Sequence, residues 1–583
     1  MYFCFLNLTG MFLLRKHHLI DWKQFVTLAL MVFVVFGVSS CKQKNKDKTK
    51  TRQEQIQQEN IGETIFVSSF EEIDFSKLDT THFFIGKIDG TAYVLKIDAA
   101  SLRGVSGRCY QIDTLSNSAA PRKFQFKRDN KGYCLITRSQ KNLPVTFSIA
   151  FDSQSIHGTI TATNGAGKQH TLSFEQYSEP PYAELTSSRY LKPQYSYSQI
   201  SDIQYGKAKG YWTSHPMEND NRYGKMIMTL LPKTASAKLQ DLYLDLYIPE
   251  NDSVDRHPLL LLLHGGAFFF GDKGGLSTKT WCEHFAQLGY VVASANYRLG
   301  FKISKSSIQQ CGYQAIQDAH AALRFLVAHA DEYHIDPDYI FIGGTSAGSI
   351  TALGTAFMTD ENCPPFVAKN KLVKKVGGLH TSGNEYRDKV KIRAVANMWG
   401  AVYDLHELDQ HPIPVLSVHG TDDHVVPYDR GYPFSAIRGK MGEWLFDTMY
   451  GSLAIHQYLD SLHIRNEICP LVSCGHAPCQ DPDGKLNQHF FNIQEKMQQF
   501  FYPELKSRCA LEQDKQSPQW YSLNDSSVTV LHWQAQGGLI LDQQPHAVRI
   551  LWLEDASKHL LRASGHNAIG VPFKQEWKQK IPC

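Results

Sequence analysis

For its middle the sequence predicts an α/β fold, a doubly wound and mostly parallel sheet wrapped by helices, and for its two ends β-rich segments. Three observations lead there. Leu259 to Leu263 is a continuous apolar run, the pattern of a central parallel strand covered on both faces. Short strand-like runs alternate with helix-spaced segments on either side of it, as βαβ units require. Near the N-terminal end, Asp89-Gly90 and Asn164-Gly165 interrupt alternating segments, which is a strong short-range hairpin signal.

Composition narrows the class. A chain of 583 residues favours several domains, and 42% hydrophobic with 20% charged residues supplies ample core. The formal net charge is +3, with no basic stripe and no zinc-finger spacing, so nucleic acid is set aside as a partner. Twelve cysteines are scattered without framework spacing and indicate neither a disulfide scaffold nor a metal module.

Residues 1–40 read as a signal peptide. Arg15, Lys16, His17, His18 and Lys23 precede an apolar run from Phe25 to Val38, which ends in Ser39, Ser40 and Cys41. Its fourteen apolar or small residues fall short of the about 20 that span a bilayer and suit the centre of an export signal. A start at Met11 gives a more usual signal length, and an uncleaved anchor or a plain secretory signal is the competing reading. Residues 41–61 are polar without apolar periodicity and form a flexible tether. Its lysines are either solvated or drawn to anionic headgroups.

Residues 62–180 read as an all-β domain, with Phe84 to Ile88, Tyr93 to Ile97 and Thr159 to Thr163 as strands. No catalytic set assembles there, so a binding or spacer role is expected. Pro180, Pro181 and the Ser/Tyr-rich stretch to Ser198 mark a linker. Residues 196–505 carry the α/β pattern. Leu242, Leu244, Leu246 and Ile248 alternate with Tyr243, Asp245 and Tyr247 in a half-buried strand that stops at Pro249. Leu259 to Leu263 then delivers His264, Gly265, Gly266 and Ala267 to a loop. Trp281 to Leu288 is helical, Tyr290 to Ala295 is a strand, and Gln314 to Ala330 carries helix-spaced Ala315, Ala319, Ala322, Leu323 and Leu326.

The chemistry centres on residues 341–348, FIGGTSAG. In G-x-S-x-G a strand turns sharply into a helix, and the glycines remove side chains that would clash around the serine. About 0.2 chance occurrences are expected in a chain this long, so the flanking structure decides. Tyr339 to Ile342 reads as a buried strand and Ile350 to Met358 as an apolar helix, which is the setting the turn needs. Acyl transfer from Ser346 needs a base, a group to orient it, and donors for an oxyanion. Pro414 to Val418 is a strand followed by His419, Gly420, Thr421, Asp422 and Asp423, and Cys469 to Ser473 is a last strand followed by His476. One histidine among 25 says little, but a serine, an acid and a histidine in that order at three strand ends say more. Cys469, Cys474, His476 and Cys479 also make a cluster with zinc-ligand chemistry, or, after export, a local disulfide.

HGGAFFFG at 264–271, NYRL at 296–299, GTSAG at 344–348, HGTDD at 419–423 and GHAP at 475–478 together make residues from about 200 to 503 resemble the α/β-hydrolase family, in its carboxylesterase and hormone-sensitive-lipase-like branch. The resemblance implies Ser346 as nucleophile, His476 as base and Asp423 as acid, the fifth residue of H-G-T-x-D, with Asp422 its neighbouring candidate. It implies backbone N–H groups of Gly266, Ala267 and Ala347 as the oxyanion hole. Ala267 stands where the family has a third glycine and fits if its φ is ordinary; Cys474 stands where glycine is commoner.

The implied activity is that of an exported serine esterase acting on short-acyl or sugar-linked esters through an acyl-enzyme, with no cofactor and no metal. Two other readings compete. One is a prolyl-oligopeptidase-like serine peptidase, for which no propeller-like repeat stands upstream. The other is a non-catalytic, glycan-binding surface lipoprotein. The small residues before Cys41 resemble the bacterial lipobox, which implies lipidation of Cys41 and a membrane-anchored place in the bacterial cell envelope. The partners expected are that membrane and a small-molecule or polysaccharide-linked ester. Residues 517–583, with Trp533, Gly537-Gly538, Val548 to Trp552 and Gly565, resemble a PKD-like β-sandwich module. The charged stretch Thr359 to Lys391 is the expected cover of the cleft, with Phe268, Phe269 and Phe270 as the alternative lining.

Overall fold

The computed structural model describes the strands between residues 64 and 176, then residues 177–216, 223–360, 376–435, 441–481, 483–554 and 556–579. The signal, the tether and Cys41 lie outside the described residues. Two compact units emerge: Thr186–Ser507 with His566–Phe573, and Met1–Leu185 with Arg508–Gly565 and Lys574–Cys583.

The first of these is built on an eight-stranded sheet. Its strands are β1 (Ser196–Gly210), β2 (Lys238–Glu250), β3 (His257–Leu263), β4 (Val291–Ala295), β5 (Ile335–Thr345), β6 (Ile392–Met398), β7 (Val415–Gly420) and β8 (Asn466–Leu471). They stand in the order β1-β2-β4-β3-β5-β6-β7-β8, with β2 antiparallel to both neighbours and every other pair parallel. The apolar run of β3 is central as expected, and its side chains divide by the period of two. Leu259, Leu261 and Leu263 enter one core layer, and Leu260 and Leu262 enter the other.

Helices fill both layers. The first layer takes α2 (Lys305–Ala328) and α3 (Ala347–Phe357), through residues such as Ala315, Leu323 and Leu353. The second takes α1 (Leu276–Leu288) and α4 (Gln488–Phe501), where Trp281 stacks on Phe490 at 4.9 Å. Burying each of these large side chains contributes about 1.5–3 kcal/mol. In β2 the alternation is not half-exposed: Asp245 is buried too, held by Lys273 Nζ at 2.7 Å. The parallel strands share a direction, so the loops after β3, β5, β7 and β8 gather at one edge of the sheet.

The chain returns to this unit near its C-terminus, beyond the 196–505 span read from the sequence. Ile569 and Val571 are fully buried in the second core layer. Asn567 Nδ2 donates to the Leu505 carbonyl (2.7 Å) and to Tyr339 Oη (3.0 Å), while Tyr190 Oη donates to the Ile569 carbonyl (2.8 Å).

The other unit is β-rich. Its nine-stranded sheet is antiparallel throughout, and Ile88 pairs with Thr91; Asp89-Gly90 lie outside the described residues. The sequence divides the two β-rich ends into separate modules. In the structure Val94, Tyr110 and Ile112 share a hydrophobic cluster with Leu539, Leu551 and Leu553, and Ser118–Ala119 pairs in parallel with the strand Ala547–Leu553. Apolar faces on each segment are covered by the other, which is the physical reason they form one unit.

Candidate active site

Ser346 sits at the turn from β5 into α3 with φ 52° and ψ −119°, a conformation strained for any residue with a side chain. Close packing demands the flanking glycines. A Cβ on Gly344 would collide with the Gly348 carbonyl, and one on Gly348 would collide with the carbonyls of Leu263 and His264. The Ser346 N–H donates to the Met398 carbonyl at 2.9 Å, which fastens the turn to the end of β6.

The three loops beyond β5, β7 and β8 bring the sequence-predicted residues together. His476 Nε2 lies 2.9 Å from Ser346 Oγ, and His476 Nδ1 lies 2.6 Å from Asp423 Oδ2. Asp423 is buried, whereas Asp422 is exposed and paired with the Thr421 hydroxyl. The remaining oxygen of Asp423, Oδ1, accepts the N–H groups of Val425 (2.7 Å) and Val426 (3.0 Å). Burial pushes the Asp423 carboxyl up, but hydrogen bonds from His419 and His476 and the charge of His476 outweigh it and hold the group well below the usual carboxylate range. Gly420 lets the acid and base loops touch, since a Cβ there would meet the carbonyls of Cys474 and Gly475. Ser473 (φ 57°) and Ala477 (φ 53°) take the left-handed backbone, whereas Cys474 does not, so its own φ does not call for glycine.

The loop after β3 lies against the nucleophile: a Cβ on Gly265 would stand 3.4 Å from Ser346 Cβ. Gly265, Gly266 and Ala267 are half-buried. Gly266 has φ 117°, where a Cβ would collide with the Phe270 carbonyl. Ala267 departs from the expectation of an ordinary φ and stands at 52°. That left-handed conformation costs about 1–2 kcal/mol. Bonds around it hold it in place: Phe269 and Phe270 donate to the Gly266 carbonyl (2.9 and 2.8 Å), and Gly300 donates to the Phe268 carbonyl (2.9 Å). Below the loop His264 stacks on Tyr297 at 4.4 Å, and Tyr297 Oη donates to the His264 carbonyl at 2.7 Å. Phe268, Phe269 and Phe270 turn inward and are 7%, 2% and 3% exposed, so they fill core and line no open groove. Of the charged stretch expected over the cleft, residues 361–375 lie outside the described residues. Asn384 within the described part donates to the carbonyls of Tyr205 and Ala321, against β1 and α2.

Both ring nitrogens of His476 are engaged by Ser346 and Asp423, and Cys469, Cys474 and Cys479 are free thiols. Among the described residues no three His, Cys, Asp or Glu side chains converge as metal ligands would. Sequence reasoning missed the polar side chains behind Asp423: His419, Ser452 and Asn397, all wholly buried. His419 stood inside the HGTDD stretch, while Ser452 and Asn397 carried no local signal.

The sheet order and the strained serine between β5 and α3 are those of an α/β-hydrolase. Residues 244–412 match the BD-FAE family model. The chain is 31% identical over 108 residues to gut esterase 1 of Caenorhabditis elegans, covering 18% of this chain and 19% of that protein. It is 31% identical over 118 residues to the probable carboxylic ester hydrolase LipM of Mycobacterium tuberculosis, covering 20% and 26%. It thus spans about a fifth to a quarter of these curated relatives' length. Solved structures to which the chain shows similarity include the propionate-bound esterase Est2 of Thermogutta terrifontis (20% identity, 45% of this chain and 89% of that one, TM-score 0.32). Another is a truncated carbohydrate esterase from gut microbiota (17% identity, 56% and 99%, TM-score 0.33). Residues 244–412 are thus similar to α/β-hydrolase carboxylesterases.

Proposed function

We propose that this protein is an exported serine esterase that hydrolyses short-acyl or sugar-linked carboxylic esters. The observation that carries the proposal is the placement of His476 between Ser346 (2.9 Å) and Asp423 (2.6 Å), within hydrogen-bond reach of both. In the reaction Ser346 Oγ attacks the ester carbonyl while His476 Nε2 takes its proton. The oxyanion that forms is met by the N–H groups of Gly266, Ala267 and Ala347. Ala347 is the first residue of α3, where helix N–H groups have no partner within the helix. The C–O bond to the alcohol then breaks, the leaving oxygen takes the proton from His476, and an acyl-Ser346 ester remains. Water attacks that ester with His476 as base, releasing the acid and restoring Ser346. Asp423 holds His476 in the tautomer with Nδ1–H throughout and stabilises its charged form.

Short acyl groups are favoured because Phe268, Phe269 and Phe270 are packed away and offer no long apolar lining. Twelve further methylenes would need burial to gain up to about 10 kcal/mol, at about 0.8 each. The cell envelope and a lipid on Cys41 complete the reading, supported by the basic residues, the short apolar run and the polar tether at the N-terminus. The test is kcat/KM along p-nitrophenyl acetate, butyrate, octanoate and palmitate, with Ser346→Ala as control. A maximum at acetate or butyrate is expected, with Ser346→Ala reducing kcat on the order of a million-fold. A maximum at palmitate, or a folded Ser346→Ala protein that keeps its activity, would refute it.

A further inference from the structure

Asp423 is served by a second histidine, and we infer that this histidine, His419, is a positioning residue for the catalytic acid; the inference rests on the esterase reading above. His419 is the penultimate residue of β7 and is wholly buried. Its Nε2 lies 3.1 Å from Asp423 Oδ2 and 3.2 Å from the Val426 carbonyl oxygen. Neither acceptor has a proton to give, so Nε2 carries the hydrogen. Nδ1 then accepts from Ser452 Oγ at 2.9 Å. Ser452 Oγ in turn accepts from Asn397 Nδ2 at 3.1 Å. The amide of Asn397 is oriented by the Gly400 N–H, which donates to Oδ1 at 2.9 Å, and by Nδ2 donating to Ser417 Oγ at 2.9 Å. A one-way chain of donors therefore runs Asn397, Ser452, His419, Asp423, from the interior of the sheet to the site.

Two consequences follow for catalysis. The backbone N–H groups of Val425 and Val426 take Oδ1, so His419 is the group that fixes the direction of Oδ2, the oxygen His476 uses. His419 also withdraws charge from that oxygen and so tempers how strongly Asp423 favours the charged form of His476. Removing His419 should loosen the His476 ring and at the same time make it more basic. A side chain that only filled space would do neither.

The experiment uses the full chain and compares His419→Leu, His419→Asn and His419→Gln. Gln can place an N–H where Nε2 stood, Asn can mimic only the Nδ1 side, and Leu offers neither. Two readouts are followed: p-nitrophenyl acetate hydrolysis across pH, and the rate at which a fluorophosphonate labels Ser346. For Leu and Asn, kcat and labelling rate should fall about 10- to 100-fold, the worth of one hydrogen bond to a charged group. KM should stay within about twofold, because His419 is shielded from the cleft. The acid limb of kcat/KM should move to higher pH in Leu, and Gln should recover most of the lost rate. If Leu fails to fold, Ser452→Ala takes its place, with a several-fold fall in kcat and the same direction of pH shift expected. Equal losses in Gln and Leu, or a loss with an unmoved pH profile, would overturn the positioning role while leaving the esterase reading intact. A wild-type protein that neither turns over ester nor is labelled at Ser346 would overturn both.

Discussion

The eight residues His566–Phe573 should be required for the unit Thr186–Ser507 to stand, even though every group proposed for catalysis lies between His264 and His476. Ile569 and Val571 are 0% and 1% exposed in its second core layer. Burial of two such side chains contributes about 3–6 kcal/mol. Without Asn567 the buried Leu505 carbonyl loses the Asn567 amide as a donor, at about 1–3 kcal/mol. The sum, about 4–9 kcal/mol, is most of the 5–15 kcal/mol by which a domain is usually stable. A fragment of residues 186–507 should therefore be largely unfolded. The gentler perturbation is Ile569→Ala in the full chain, with an expected loss of about 2–5 kcal/mol. The assay is the urea dependence of p-nitrophenyl acetate hydrolysis, because activity reports this unit alone and separates its unfolding from that of the β-rich unit. With a slope of about 1–3 kcal/mol per molar urea, the midpoint should fall by about 1 M or more. A midpoint unchanged in Ile569→Ala, together with a folded and active 186–507 fragment, would refute the reasoning.

Other outcomes can be stated now. Ala267→Gly should stabilise the protein by about 1 kcal/mol, read as a raised melting temperature, because φ at that position is 52° and glycine takes it freely; an unchanged or lowered melting temperature would count against strain there. Burial pushes the Glu407 carboxyl up to about 8 from an ordinary 4.5. The folded state therefore keeps its proton where the unfolded state has lost it, so this contribution is full below about pH 4.5 and is lost as pH rises through about 8, by up to a few kcal/mol. Glu407→Gln should flatten that fall in a set of urea melts at pH 5 and pH 8.5. Cys41→Ser should release the protein from the membrane fraction, and wild-type protein that is already soluble and carries no acyl group would end the anchor proposal.

The site was legible where chemistry and local structure coincide. Ser346, Asp423 and His476 each follow a strand and stand at a turn that contains glycine, so type, order and setting could all be read along the chain. Asp422 and Asp423 could be separated only by the register of a motif until burial and the 2.6 Å contact with His476 distinguished them. Ser452 and Asn397 were illegible because each reaches Asp423 only through another side chain, across 55 residues in one step and 33 in the next. The segment His566–Phe573 was illegible for a different reason. Eight residues, HNAIGVPF, are too few to show a periodicity that separates an inserted core segment from the turn of a β-rich module.

The glycines of the site show where motif and cause part company. Gly344, Gly348 and Gly420 are not among the glycines with positive φ, so their own backbone angles do not demand glycine. What demands it is neighbouring backbone: the Gly348 carbonyl over Gly344 within the serine turn, the carbonyls of Leu263 and His264 over Gly348, and those of Cys474 and Gly475 over Gly420. The first contact closes the serine turn on itself, the second spaces that turn from the end of β3, and the third spaces the loop of Asp423 from the loop of His476. At Ala267 the relation is reversed. The backbone there is left-handed and would suit glycine, yet the residue carries a Cβ. Conformational demand alone therefore does not choose the residue at these positions. Room between loops does, and a side chain added at Gly348 or Gly420 should displace Ser346 or His476 and abolish turnover, while one at Ala267 is already tolerated.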